Sequence, residues 1–115
     1  MSYTKETLAA RPWLLRHNVY AAPSPIHGKG LYAARDIDGG SYIGTYRGIR
    51  TRNDGKYVLW TFPEGLSPVG RRGMNLLRYL NHSQTPNAEF DGYDLYALRP
   101  IAAHEEITIN YGEFE

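Results

Sequence analysis

The stretch Arg78-Tyr79-Leu80-Asn81-His82-Ser83-Gln84-Thr85-Pro86-Asn87 decides how the rest of this chain is read. Taken alone, Asn81 suits a turn or a cap, and His82 suits a core histidine with both ring nitrogens satisfied. Asn81-His82-Ser83 also spells a glycosylation acceptor, which requires an exposed loop in a secreted protein. The opening segment MSYTKETLAARPW carries charges and a proline where an export signal would carry an apolar run, so no export segment is expected. The expected setting is intracellular, cytoplasmic or nuclear.

Upstream of the stretch, Met74, Leu77 and Leu80 recur at helical spacing and predict a short helix over Met74 to Leu80. A weaker helix is expected within Thr4 to Arg16, interrupted by Pro12. Downstream, Ala88-Glu89-Phe90 and Asp94-Leu95-Tyr96-Ala97-Leu98 flank Asp91-Gly92 and predict a β-hairpin. Asp38-Gly39-Gly40 and Asn53-Asp54-Gly55 suit further tight turns. Between the turns lie aromatic and β-branched runs at Val19 to Ala22, Leu31 to Ala34, Ser41 to Tyr46, Tyr57 to Phe62 and Glu106 to Ile109. With no internal repeat, low-complexity stretch or linker, this predicts one mostly β domain.

At 115 residues the chain is one domain by length and can bury roughly two thirds of its unfolded surface. Hydrophobic residues are 42% and charged residues 22%, an ordinary globular balance, and no stretch has the apolar length of a membrane span. Having no cysteine, the chain can form neither a disulfide framework nor a thiolate zinc site. A net charge of +1, with small clusters such as Arg50 with Arg52 and Arg71 with Arg72, argues against direct nucleic-acid binding. Those arginines read as solvated faces. His104-Glu105-Glu106 lacks the H-E-x-x-H spacing and the four histidines are scattered, so no metal is expected; nor is there a phosphate loop of the G-x-x-x-x-G-K type.

Three segments together resemble the SET family of protein lysine methyltransferases. The stretch Arg78 to Asn87 is similar to the family's R-F-x-N-H-S-x-x-P-N, with six identities in ten residues. Glu105-Glu106-Ile107-Thr108-Ile109-Asn110-Tyr111-Gly112 resembles its closing E-E-L-T-x-D-Y-G, at the interval of a hairpin and one connection. Ser24 to Ala33, containing His27-Gly28-Lys29-Gly30-Leu31-Tyr32, resembles its opening glycine motif, where missing side chains let backbone approach a cofactor. A softer match is Gly44-Thr45-Tyr46-Arg47-Gly48-Ile49. The match spans about 19–113, leaving 1–18 as an N-terminal extension of a single domain over 1–115.

The resemblance implies a β-clip fold of several small curved sheets, one or two short helices, and a C-terminal segment threaded beneath a loop near Asn81. Such threading is rare among folds. It implies an S-adenosylmethionine-dependent protein-lysine N-methyltransferase that releases S-adenosylhomocysteine. Cofactor contacts would fall to His27, Gly28, Lys29, Gly30, Tyr32, Arg78, Asn81, His82 and Tyr111; the Asn81 side chain would hold the cofactor's amino group. Tyr111 would be catalytic, with Tyr46 and Phe90 walling the lysine channel.

Two departures matter. Asn110 stands where the family has aspartate, which reads as tuning. The family's aromatic two positions before the tyrosine is Ile109 here, so Phe90 is expected to fill that space; lacking a hydroxyl, it leaves room for more than one methyl group. A minimal member of this kind, like viral and bacterial ones, is expected to lack the cysteine-rich zinc-binding segment that follows the domain in relatives. A second copy, the substrate or the N-terminal segment must then complete the channel, and a homodimer is expected. The partner is a protein or peptide with an accessible lysine, and no membrane. Glu105, Glu106, Glu113 and Glu115 form an acidic end that could attract a basic histone-like tail, although acidic termini are more often solvated. The competing reading is a non-catalytic binding module with the same fold.

Overall fold

The computed structural model describes Leu15 and residues 17–114. The helix expected within Thr4 to Arg16 lies outside these residues apart from Leu15. In chain order the strands are β1 (Val19–Pro23), β2 (Lys29–Ala33), β3 (Tyr42–Thr45), β4 (Gly48–Thr51) and β5 (Val58–Thr61). Then come β6 (Val69–Gly73), β7 (Asn81–His82), β8 (Ala88–Asp91), β9 (Asp94–Ala97) and β10 (Glu106–Ile109). Two single 3-10 turns, Leu76–Tyr79 and Tyr111–Phe114, and the helical residues Leu15, His17 and Asn18 complete the regular structure of the described residues. Short strands broken by glycine turns give small sheets instead of one large one, and the fold is mostly β as expected.

The sheets have the orders β1-β2-β10-β7, β3-β9-β8 and β4-β6-β5. In the first, β10 lies inside the sheet, antiparallel to β2 at Ile107↔Leu31 and parallel to β7 at Thr108↔Asn81. The C-terminal strand is therefore held between two segments that precede it in the chain. Asn87, 2% exposed, fastens the loop after β7 to it: its Nδ2 donates to the Glu106 carbonyl at 2.8 Å, and its Oδ1 accepts from the Thr108 N–H at 2.8 Å. Leu31, Ile43, Leu77, Leu95, Ile101 and Ile107 are essentially sealed from solvent and make one core. Each contributes about 1.5–3 kcal/mol by leaving water.

The expected hairpin is present, with Gly92 at φ 62 in its turn and Phe90 opposite Leu95. The expected helix over Met74 to Leu80 shrinks to the 3-10 turn. Met74 donates its N–H to the Arg47 carbonyl at 2.7 Å, and the Asn75 side chain donates to the Thr45 carbonyl at 2.8 Å. Both residues are thus tied to extended chain, and Asn75 itself is extended at φ −109 and ψ −176.

Strands β4 and β6 were not expected, because Gly48-Ile49-Arg50-Thr51 and Val69-Gly70-Arg71-Arg72-Gly73 lack a strand composition. Close packing explains their glycines. A Cβ on Gly48 would collide with the Arg72 carbonyl, and one on Gly73 with the Tyr46 ring and hydroxyl. The reading of Arg71 as solvated is corrected: its Nη1 donates to the Tyr46 carbonyl at 2.9 Å and its guanidinium lies 3.8 Å from the Tyr93 ring centre.

Candidate active site

The first sheet, β5 and the two 3-10 turns enclose a cleft of about 770 Å³. Of the residues marked by sequence, His27, Gly28, Lys29, Arg78 and Asn81 line it, and so do Tyr46, Phe90 and Tyr111. These come from segments up to 84 positions apart, and β10 is what joins them: its parallel register with β7 sets Ile109 beside His82 and brings Tyr111 back toward the strand that carries Asn81.

Tyr111 is fixed at three points. Its N–H donates to His82 Nδ1 at 3.0 Å, its ring lies 5.3 Å from the His82 ring, and its hydroxyl donates to the Leu80 carbonyl. The phenol therefore sits against the peptide that leads into Asn81. Its other side is open, with the residue 49% exposed. Burial of the hydroxyl end pushes its pKa up from the ordinary tyrosine value.

Asn81 is 6% exposed, and its Nδ2 lies within reach of four acceptors: Ser24 Oγ at 3.1 Å, the His27 carbonyl at 3.1 Å, the Lys29 carbonyl at 3.2 Å and Glu106 Oε2 at 3.0 Å. An amide has two protons to share among them. Its orientation is thereby fixed, and Oδ1 is the atom of this side chain that can accept from an ammonium. Glu106 completes the hub by accepting from Ser24 Oγ at 2.9 Å.

Glu105 and Glu106 were expected in an acidic end, either drawing a basic tail or solvated, and the structure corrects this for Glu106. Glu106 is an internal joint, and Glu105 accepts from Asn87 Nδ2 at 2.9 Å while pairing loosely with Arg99 at 3.7 Å. The signal that was available is their place at the start of a strand whose next residues, Ile107 and Thr108, are buried.

Tyr46, 5% exposed, donates its hydroxyl to the Tyr57 carbonyl, which also accepts the Gly73 N–H at 2.8 Å. Tyr57 reaches this position in a left-handed conformation, φ 66. Burial pushes the Tyr46 pKa up to about 12. Phe90 meets Tyr46 edge to face, ring centres 5.9 Å apart and planes at 89°. With both pKa values raised, the Tyr46 and Tyr111 hydroxyls are neutral donors near pH 7.

Residues that sequence did not mark also line the cleft, among them Lys56, Tyr57 and Tyr79. The Tyr57 and Tyr79 rings are 6.0 Å apart. Lys56 Nζ lies 5.0 Å from the Tyr57 ring, while Lys29 Nζ and the Arg78 guanidinium lie 5.5 and 4.4 Å from the Tyr79 ring. Gly30, Tyr32 and His82 stand outside the lining. Gly30 admits the Glu106 carboxylate and Ser24 where a Cβ would stand. Tyr32 donates to the Pro23 carbonyl at 2.8 Å and stacks on Tyr20.

Residues 28–112 match the SET domain family. Among curated relatives, the chain is 34% identical to histone-lysine N-methyltransferase trr of Drosophila melanogaster, over 84% of this chain and 5% of that protein. It is 31% identical to histone-lysine N-methyltransferase 2D of Homo sapiens, over 84% of this chain and 2% of that protein. The chain thus spans only a small part of these relatives' length. Among solved structures, the methyltransferase domain of human histone-lysine N-methyltransferase SETMAR superposes with a TM-score of 0.70 at 22% identity, covering 81% of this chain and 44% of that one. A humanized mutant of the Chaetomium thermophilum Polycomb Repressive Complex 2 gives 0.69 at 25% identity, covering 84% and 15%. No helix among the described residues is long and apolar enough to cross a membrane.

Proposed function

Because the chain belongs to the SET domain family, we propose that it is a protein-lysine N-methyltransferase that uses S-adenosylmethionine and releases S-adenosylhomocysteine. The observation that carries this reading is the Tyr111 hydroxyl resting on the Leu80 carbonyl, one residue from Asn81, in a cleft shared with Tyr46 and Phe90.

The donor set suits that cofactor. Asn81 Oδ1 and the acceptors around it fit an ammonium, Arg78 and Lys29 fit a carboxylate, and the aromatic lining suits a flat base and a cationic sulfonium. The cofactor supplies an electrophilic methyl carbon. A lysine has a pKa of about 10.4 in water, so it must lose a proton before it can attack. Tyr46, Phe90 and Tyr111 lower that value by excluding water from the ammonium. Their fixed hydrogen bonds and edge-to-face contact also hold the amine in line, which can supply several kcal/mol of barrier reduction. Tyr111, its pKa raised, acts as a neutral donor and wall, not as a base. Its open side is closed in this reading by the bound peptide or by a second copy of the chain.

The test is transfer of label from radiolabelled S-adenosylmethionine to protein. Label appearing on lysine supports the reading. Binding of the cofactor with no transfer to any protein returns the chain to the non-catalytic module. Sedimentation at assay concentration decides between one copy and two.

A further inference from the structure

Strand pairing gathers charges that look scattered in the sequence. Residues 47–73, which form β4, β5, β6 and their connections, hold six cations and two carboxylates, net +4 in a chain of net +1. The rest is consequently acidic on balance. Within the sheet Arg50 stands opposite Arg71, and Ile49, Arg72 and Val58 form one cross-strand row. Residues so aligned share a face, so Arg72 stands beside Val58, which lines the cleft. Arg47, Arg50, Arg52 and Arg72 are exposed.

The cleft continues this charge. Among the described residues its lining contains Lys29, Lys56 and Arg78 against a single carboxylate, Asp54, which already accepts from the Gly55 N–H at 2.9 Å and from Trp60 Nε1 at 3.1 Å. Lys56 and Arg78 rest on tyrosine rings. With Lys29 and Arg78 facing the cofactor's carboxylate, Lys56 and the neighbouring Arg72 remain to repel cationic flanks of an incoming peptide and to attract a segment bearing carboxylates.

We propose, resting on the methyltransferase reading, that the substrate of this cleft is a lysine set among acidic residues, and that Arg72 and Lys56 select those flanks. Arginine forks match carboxylates bidentately, and the charged sheet is continuous with the cleft wall, so the peptide flanking the lysine is what meets it. The preference is electrostatic and exposed, and it weakens as salt shortens the screening length to about 8–10 Å.

Short peptides with one central lysine and glutamate, glutamine or arginine flanks test this, with methylation and fluorescence-anisotropy binding measured side by side. The expected result is kcat/KM about tenfold or more higher for glutamate than for arginine flanks at low salt, with the gap narrowing as salt is added. Arg72→Glu combined with Lys56→Glu should shrink or invert that ranking with the melting temperature unchanged. Equal or better use of arginine flanks overturns the proposal, as does a ranking that the double variant leaves untouched. Tight binding of glutamate-flanked peptide with no methyl transfer supports the surface and sinks the methyltransferase reading instead. Failure of every peptide to bind above the arginine-flanked one sinks the surface.

Discussion

The Asn81 side-chain amide donates to the Glu106 carboxylate at 3.0 Å, joining the strand after the 3-10 turn to the C-terminal strand that runs parallel to it. Ser24 Oγ and the carbonyls of His27 and Lys29 share the same point. Three distant segments are thus held in register by one partly buried carboxylate. Glu106→Ala leaves the Ser24 hydroxyl without its acceptor and takes one of the four acceptors from around the Asn81 amide, so unfolding free energy should fall by about 1–3 kcal/mol. Urea titration measures this. S-adenosylmethionine affinity should fall in parallel, because the Asn81 amide is held by one partner fewer. An unchanged urea midpoint would mean the joint has no structural weight.

Tyr111→Phe removes one hydroxyl and its bond to the Leu80 carbonyl while the backbone contact with His82 Nδ1 is retained. Turnover should drop roughly 100-fold or more, the scale of a misplaced reacting group, with cofactor binding retained. Single-turnover methyl transfer and calorimetric titration separate the two. Full turnover in the variant would remove Tyr111 from the mechanism.

Much of this was legible because the informative residues are contiguous. Arg78 to Asn87 and Glu105 to Gly112 carry their pattern locally, and the Asp91-Gly92 turn announces its hairpin. What was hidden depends on pairing. Strands β4 and β6 contain glycines and arginines that no strand preference selects; Gly48 and Gly73 are needed because the Arg72 carbonyl and Tyr46 come so close, and Gly70 because Thr51 and Trp60 do. Glu106 looked solvated because a carboxylate near a chain end usually is, and only β10 lying between β2 and β7 reveals that it faces Ser24 and Asn81. Lys56, Tyr57 and Tyr79 belong to the cleft through that same three-dimensional closure.

Tyr46 gives an alkaline signature. Its pKa is pushed up to about 12 by burial, against about 10 in the unfolded chain. Between those values the unfolded state has released the proton and the folded state has kept it, so stability is full below about pH 10 and declines as pH rises toward 12. Tyr46→Phe should flatten that decline. At neutral pH it loses about 0.5–1.5 kcal/mol with the bond to the Tyr57 carbonyl. Denaturant unfolding on both sides of the tyrosine range checks both parts. An equally steep alkaline loss in the variant would assign the effect to another group.

In the methyltransferase reading, Phe90 is expected to set how many methyl groups the channel accepts. It meets Tyr46 edge to face at 5.9 Å, and Ile109, 4% exposed, lines the same cleft. An aromatic wall without a hydroxyl neither narrows the channel nor pins a water or the amine by a hydrogen bond. A partly methylated amine can then turn and present its lone pair again. Wild-type protein should therefore carry a peptide lysine beyond the monomethyl stage. Phe90→Tyr adds an oxygen that occupies this space and can hold the amine in one orientation, so its products should stop at monomethyl-lysine. The first transfer should slow less than about tenfold, since the in-line geometry at Tyr111 is untouched. Mass spectrometry of the peptide over a time course reads the product ladder directly. Wild-type products ending at one methyl, or an unchanged ladder in the variant, would take this role from Phe90.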